Sequence, residues 1–176
     1  MTASCVPVLI QQNVHGSDFF NRSWAEFKVG FKDSRGNYWL GNDLLSQLTL
    51  SRRYKLRFDL QARNLSWYNA EYSSFLVYGE SRNYELQVSG YSGNAGDTLR
   101  FQDGRMFTTY DRDNDPWINA GSPYNNCAVF NGGGFWYTTC AWCNVNTVRG
   151  RGQEFRWYSS QTGHILLQSS RMWLMC

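Results

Sequence analysis

The chain has 176 residues, 17 basic and 14 acidic side chains for a net charge of +3, and 42 % hydrophobic, 17 % aromatic and only 3 proline residues. This length and apolar content suit one domain with a sizeable core and exclude a disordered chain. No apolar run approaches the roughly 20 residues of a membrane span, and the densest basic group, Arg149-Gly-Arg-Gly-Gln-Glu-Phe-Arg156, is too short and glycine-rich for a nucleic-acid footprint.

Pro7 precedes a strand over Val8–Gln12, where a missing N–H does least harm. Helical spacing follows over Trp24–Phe31, with Ser23 as N-cap and Gly30 near the end. Asn42-Asp43 caps a short helix running to Leu48. Tyr54–Leu60 alternates Tyr54, Leu56, Phe58 and Leu60 on one face and reads as a strand. Phe75–Tyr78 and Tyr84–Val88 flank the turn-rich Gly79–Asn83 and read as a hairpin. Beyond Asp97 the pattern dissolves into glycine, asparagine and aromatics, until Ile165–Gln168 and Arg171–Met175 return as strands with His164 in a turn before them. A long stretch without secondary structure is usually functional or disordered; here a metal and a disulfide would supply the order.

Asp111-Arg-Asp-Asn-Asp115 places three carboxylates at alternating positions, which gathers oxygen ligands on one side of an extended backbone, as a hard cation such as Ca2+ requires. The ordinary reading of such a cluster is a solvated loop. An EF-hand is excluded, because Pro116 stands where glycine is needed and Ser122 where a bidentate Glu belongs; any calcium site must draw on backbone carbonyls and water. Cys127 and Cys140, 13 apart, suit a small disulfide loop, and five cysteines in all point to an oxidising compartment. Asn21-Arg-Ser23 and Asn64-Leu-Ser66 are N-glycosylation sequons, placing acceptors at Asn21 and Asn64 if the chain is secreted. Cys140-Ala-Trp-Cys143 looks like a zinc or redox pair, but no second C-x-x-C or nearby His completes it. The only histidines, His15 and His164, fit no catalytic pattern, and no nucleophile elbow or phosphate loop appears. The expectation is therefore a binding domain and not an enzyme. Eight Trp, eleven Tyr and eleven Phe exceed the needs of a core this size, so some should reach the surface to stack on sugars or fill protein pockets.

The chain resembles the fibrinogen-related domain, the C-terminal globular module of fibrinogen chains, ficolins, tachylectins, tenascins and angiopoietins. The resemblance rests on Ile10-Gln-Gln, Trp24-Ala-Glu-Phe-Lys-Val-Gly-Phe31, Tyr38-Trp-Leu-Gly-Asn42, Gly90-Tyr-Ser-Gly-Asn-Ala-Gly-Asp97, Phe107-Thr-Thr-Tyr-Asp-Arg-Asp-Asn-Asp115, Cys127-Ala128 and Phe135-Trp-Tyr137, in that order along nearly the whole chain. It implies an α+β fold: a central twisted, mainly antiparallel sheet with short helices (about residues 5–100 and 155–176) and a loop-rich calcium and ligand-binding subdomain (about 101–154). The whole of 1–176 is expected to be one such domain lacking the usual N-terminal disulfide subdomain, with the C-terminal strand returning to the sheet beside the N-terminal one. If those strands lie side by side, Cys5 and Cys176 come within bridging reach and Cys143 is left odd.

For the site, the resemblance implies calcium held by Asp113 and Asp115 with the carbonyls of Trp117 and Asn119, Asp111 orienting the loop or binding through water. It also implies a Cys127–Cys140 disulfide and a cis Cys140–Ala141 bond at the ligand pocket. This chain departs from the family's acetyl-binding lectins at several points. Ala141 replaces the frequent His, and Asn131 replaces an aromatic. Cys143-Asn-Val-Asn-Thr147 replaces S-N-L-N-G, Pro116–Asn126 is long, and Thr147–Trp157 is short. Trp136 is expected in the core, and ligand contacts are expected to involve Asn131, Tyr137, Cys140, Ala141 and Trp142, with N-acetylated sugars binding weakly. The expected function is a secreted, calcium-supported recognition domain for glycans or surface proteins, of the innate-immune lectin type. The alternative is a protein-binding matrix, adhesion or receptor-ligand module without lectin activity. Oligomerisation is expected only through segments this chain does not contain.

Overall fold

A computed structural model describes residues 6–118, 125–140, 142–150 and 154–176. Its centre is an antiparallel sheet in which β11 (Gly163–Met175) lies between β1 (Val8–Val14) and β4 (Tyr54–Ala62). Val8 pairs with Leu174, and Leu174 in turn with Leu56, so the last strand of the chain does return beside the first. On the β1 side follow β3 (Tyr38–Trp39) and β2 (Phe31–Lys32); on the β4 side follow β5 (Trp67–Val77) and β6 (Leu86–Gly93). The alternation expected in β4 is real: Tyr54, Leu56, Phe58, Leu60 and Ala62 are all buried.

Two helices cover the sheet. In α1 (Trp24–Val29) Ser23 forms a reciprocal capping box: its Oγ accepts from the Glu26 N–H, and a Glu26 carboxylate oxygen accepts from the Ser23 N–H at 2.9 Å. Gly30, at φ 90°, ends the helix where a Cβ would stand 2.5 Å from the Leu40 carbonyl oxygen. Ser23→Ala should cost about 1 kcal/mol of unfolding free energy; a denaturant melt unchanged within error would show that the cap contributes nothing. In α2 (Asn42–Ser51) the N-cap is Gly41, not Asn42. Asn42 is already in the first turn and is buried, its Oδ1 accepting from the Trp39 indole at 3.0 Å. The helix also runs three residues past Leu48, because Thr49 is a buried partner of β5: its hydroxyl accepts from the Val77 N–H at 3.0 Å.

Three further expectations need correction. The hairpin over 75–88 exists, but its first strand begins at Trp67, and Tyr78 and Tyr84 stand outside the strands. Tyr84 sits at φ 51° and is buried; burial, then the hydrogen bond its hydroxyl donates to Asp43, push its phenol well above the ordinary value. Ile165–Gln168 and Arg171–Met175 are one strand, since Ser169 and Ser170 continue the ladder through a bulge and the Ser170 hydroxyl is held by buried Gln11. His164 is already in β11, opposite Tyr158 of β10 (Arg156–Ser159), and β10 also pairs with β9 (Cys143–Asn144).

The loop-rich half is joined to the sheet by buried groups. Phe27, Phe107 and Trp136 form one aromatic cluster with Trp39, with ring centroids 5.0 Å apart for Phe27–Phe107 and 5.2 Å for Phe107–Trp136. Trp136 is fully buried and its indole donates to the Tyr84 carbonyl at 2.7 Å, as a core residue must. Gln11 and Asn13 of β1 reach across to the Val145 carbonyl at 3.0 and 2.9 Å, and Asn146 passes the link to the Gly134 carbonyl.

Candidate functional site

The acidic loop follows β7 (Phe107–Thr108) and is folded by its own side chains. Asn114 donates to the Phe107 carbonyl at 2.8 Å, and its N–H donates to the Thr108 hydroxyl. Asp111 faces away from the other carboxylates: its Oδ1 accepts from the first helical N–H of α1, at Trp24, at 2.8 Å and from the Thr109 hydroxyl at 2.7 Å. It orients the loop against α1. Arg112 reinforces the same contact, its guanidinium lying 4.0 Å from the Trp24 ring centroid.

Asp113 and Asp115 converge. Asp113 Oδ1 accepts from the Asp115 N–H at 3.2 Å, which brings the two carboxyl groups close enough to interact. Asp115 Oδ1 accepts from Trp117 N–H and Oδ2 from Cys127 N–H, both at 2.9 Å. Burial, despite those two donors, and the neighbouring Asp113 charge push the Asp115 carboxyl up to about 6. Two carboxylates held together against their repulsion, with no ion-pair partner among the described residues, suit a hard cation bound through oxygen. Among the described residues no three His, Cys, Asp or Glu side chains converge to hold a metal, so carbonyls and water would complete the shell. Trp117, one of the two carbonyl positions, is fixed by its N–H bond to Asp115 and by its ring, 5.5 Å from Phe130. Asn119 and most of the Pro116–Asn126 loop lie outside the described residues.

Behind the loop stands α3 (Cys127–Asn131). Asn126 caps it, accepting from Ala128 and Val129 N–H, and ties it to the loop by donating to the Thr109 carbonyl at 2.9 Å. A disulfide joins Cys127 to Cys140 with Cα atoms 4.9 Å apart, both residues buried.

Residues 2–173 match the family "Fibrinogen beta and gamma chains, C-terminal globular domain". The chain belongs to this family. This fibrinogen-related domain is 39 % identical to human Ficolin-3 over 140 residues, which is 79 % of this chain and 45 % of that protein, and 40 % identical to mouse Tenascin over 138 residues, 78 % of this chain and 6 % of that one. It superposes on the fibrinogen-like globe domain of human ANGPTL2 with a TM-score of 0.82 at 35 % identity, covering 96 % of this chain and 79 % of that one. The chain spans less than half the length of those curated relatives. The α+β architecture with a mainly antiparallel sheet is thereby that of the family.

The expected pocket residues separate. Tyr137 is fully buried, its hydroxyl donating to the Gly133 carbonyl, and burial holds its phenol well above the ordinary value. Asn131 is buried too, its amide donating to the Cys127 carbonyl at 2.9 Å. Both side chains are turned inward, away from the surface, and each satisfies backbone that a bend would otherwise orphan. Cys140, at φ 63°, is buried in the disulfide. Ala141, and with it the expected cis bond, lies outside the described residues, as does Cys5; Cys176 is disulfide-bonded. Cys143 is a buried free thiol against Gln102, whose amide donates to it at 3.1 Å, and burial pushes the thiol up to about 12. It is therefore inert at neutral pH, and the C-x-x-C reading fails.

Among the described members of the expected pocket set, Trp142 alone reaches the surface, 43 % exposed. It stacks on Tyr158 at 5.2 Å and flanks Phe101 at 5.7 Å, and these rings wall a cleft of about 360 Å3 with Asp97, Arg100 and Ser159–Gln161. No motif marked Phe101 or Tyr158, and Asp97, the last residue of a family motif, carried no sign of a binding role. The alternation in Arg156-Trp-Tyr-Ser159, with Trp157 and Ser159 inward, was the available signal that Tyr158 faces out. The two sequon asparagines, Asn21 and Asn64, are both exposed.

Proposed function

We propose that this fibrinogen-related domain is an extracellular recognition module that binds Ca2+ through Asp113 and Asp115 and takes glycans as its ligands. The observation that carries the metal assignment is the convergence of those two carboxylates, with Asp115 pushed up by burial and by its neighbour. Calcium would supply charge neutralisation there, fixing Asp115 as the strut between the loop and the Cys127 N–H. Among the described residues neither histidine forms a nucleophile–base pair: His15 is on an exposed bend bonded to Gln168, and His164 packs tilted against Tyr158. Disulfides and two exposed sequons support secretion.

Asn131 and Tyr137 are buried where a lectin of this family would place pocket walls, and that favours a second reading: a protein-binding module of the matrix or adhesion type. An array of glycans probed with labelled domain, with and without a chelator, separates the two. Glycan binding that falls when calcium is removed supports the first reading. Binding to no glycan, with the calcium-loaded fold intact, leaves the second.

A further inference from the structure

The cleft beside Trp142 is built from three stretches far apart in sequence, and the protein locks them together. Thr98 Oγ1 donates to the Tyr158 carbonyl, the Trp157 indole donates to the Gly96 carbonyl at 3.1 Å, and Thr162 Oγ1 donates to the Ala95 carbonyl at 3.1 Å. Asp97 is thus held between anchored neighbours, opposite the aromatic wall. On that wall Tyr158 N–H donates to the Trp142 carbonyl at 3.0 Å, which extends the β9–β10 ladder by one pair and fixes Trp142 and Tyr158 on the same face. Phe101, itself 43 % exposed, carries Arg100 on its ring at 4.7 Å.

Two sets of polar atoms go unused by the protein here. Asp97 Oδ1 is buried without a hydrogen-bond partner. Asn144, which does not line the cleft, is fully buried, and neither its Nδ2 nor its Oδ1 has a partner. Buried polar groups are normally paired, and an unpaired one calls for a water, an ion or a ligand.

We propose that this cleft is a carbohydrate-binding site for a neutral, unmodified hexose residue, and the proposal rests on the glycan reading above. A sugar ring offers an apolar face of C–H groups and an edge of hydroxyls. The open part of the Trp142 indole meets the first, and the Asp97 carboxylate accepts from the hydroxyls through charge-assisted hydrogen bonds, about twice as strong as those a neutral amide would make. Ser160 and Gln161 stand at the rim as further neutral partners. One acid and one base, Asp97 and Arg100, leave the cleft without net charge, which suits a neutral ligand over a sulfated or sialylated one. A volume of about 360 Å3 is in the range of small-molecule sites and holds one sugar residue, not a protein surface. The cleft is not lined by Ala141 or by the Thr147–Trp157 segment, although the Trp157 indole helps to hold it together.

The test is titration of the calcium-loaded domain with methyl α-mannoside, methyl β-galactoside and methyl β-glucoside, following the Trp142 indole resonance, with sialyllactose as the anionic comparison. At least one neutral glycoside should shift that resonance more strongly than sialyllactose. Trp142→Ala and Asp97→Asn should each weaken binding about tenfold or more, the loss of an aromatic anchor or of a charge-assisted bond. Ser160→Trp, which fills the mouth, should do the same if Trp142→Ala does not fold. A glycoside that binds equally well to all these variants overturns the cleft while leaving glycan recognition standing. Failure of every glycoside to bind also overturns it, and the array then decides independently whether glycans are ligands at all.

Discussion

Calcium at 100-fold above its dissociation constant should raise the melting temperature by roughly 5–10 °C, from about 2.7 kcal/mol of linkage spread over a domain of this size. Mg2+ should shift it far less, because its small octahedral shell is poorly served by a pair of carboxylates and backbone carbonyls. The effect depends on pH with a definite sign. The folded-state value of Asp115, about 6, lies above the ordinary aspartate value of 3.8, first through burial and then through Asp113. In the calcium-free chain, protonation of Asp115 therefore favours folding. That contribution is complete below the unfolded-state value and is lost as pH rises through about 6. Calcium takes over the proton's role, so its stabilisation should be full at about pH 7.5 and fade toward about pH 5. Melts at both pH values, with calcium, magnesium or chelator, read this directly. A calcium shift that is equal at both, or that survives Asp113→Ala in full, removes Asp113 and Asp115 as ligands.

The sheet was legible because half-buried strands write a period of two, as Tyr54, Leu56, Phe58 and Leu60 do. The first half of β5, Trp67-Tyr-Asn-Ala-Glu-Tyr72, is not legible as a strand because an exposed Trp67 stands beside buried Ala70 and Tyr72, so polarity and burial diverge. β11 was split at Ser169-Ser170, where a buried serine bonded to Gln11 reads as a turn. The acidic cluster was visible in the sequence as alternating carboxylates, a local pattern, and the resemblance singled out Asp113 and Asp115 as the proposed metal ligands. The pocket was not. Tyr137 follows Phe135 and Trp136 in an aromatic run, and nothing local says that all three are buried while Trp142, five residues on, is half open. Asp97 and Phe101 join Trp142 through the β9–β10 pairing together with the long-range side-chain bonds of Thr98, Trp157 and Thr162, which no local pattern encodes.

Removing the Cys127–Cys140 disulfide should cost about 3 kcal/mol, the chain-entropy value for a loop this short, and lower the melting temperature by roughly 6–12 °C. Both cysteines are buried, so a mild reductant without denaturant should leave the bond intact in the folded domain; non-reducing peptide mapping that finds either one free overturns the structural role. The loss should also reach the metal. Cys127 N–H is one of the two donors that hold the Asp115 carboxylate, and Asn126, next to it, ties α3 to the Thr109 carbonyl. With the bridge gone, α3 is anchored to Cys140 only through the chain, and the aspartate loses its fixed position at the loop. The Cys127→Ala/Cys140→Ala double variant should therefore be less stable and also show a smaller calcium shift than the parent. An undiminished calcium shift in that variant means the disulfide and the metal loop are independent, and that the hydrogen bond from Cys127 to Asp115 does not couple them.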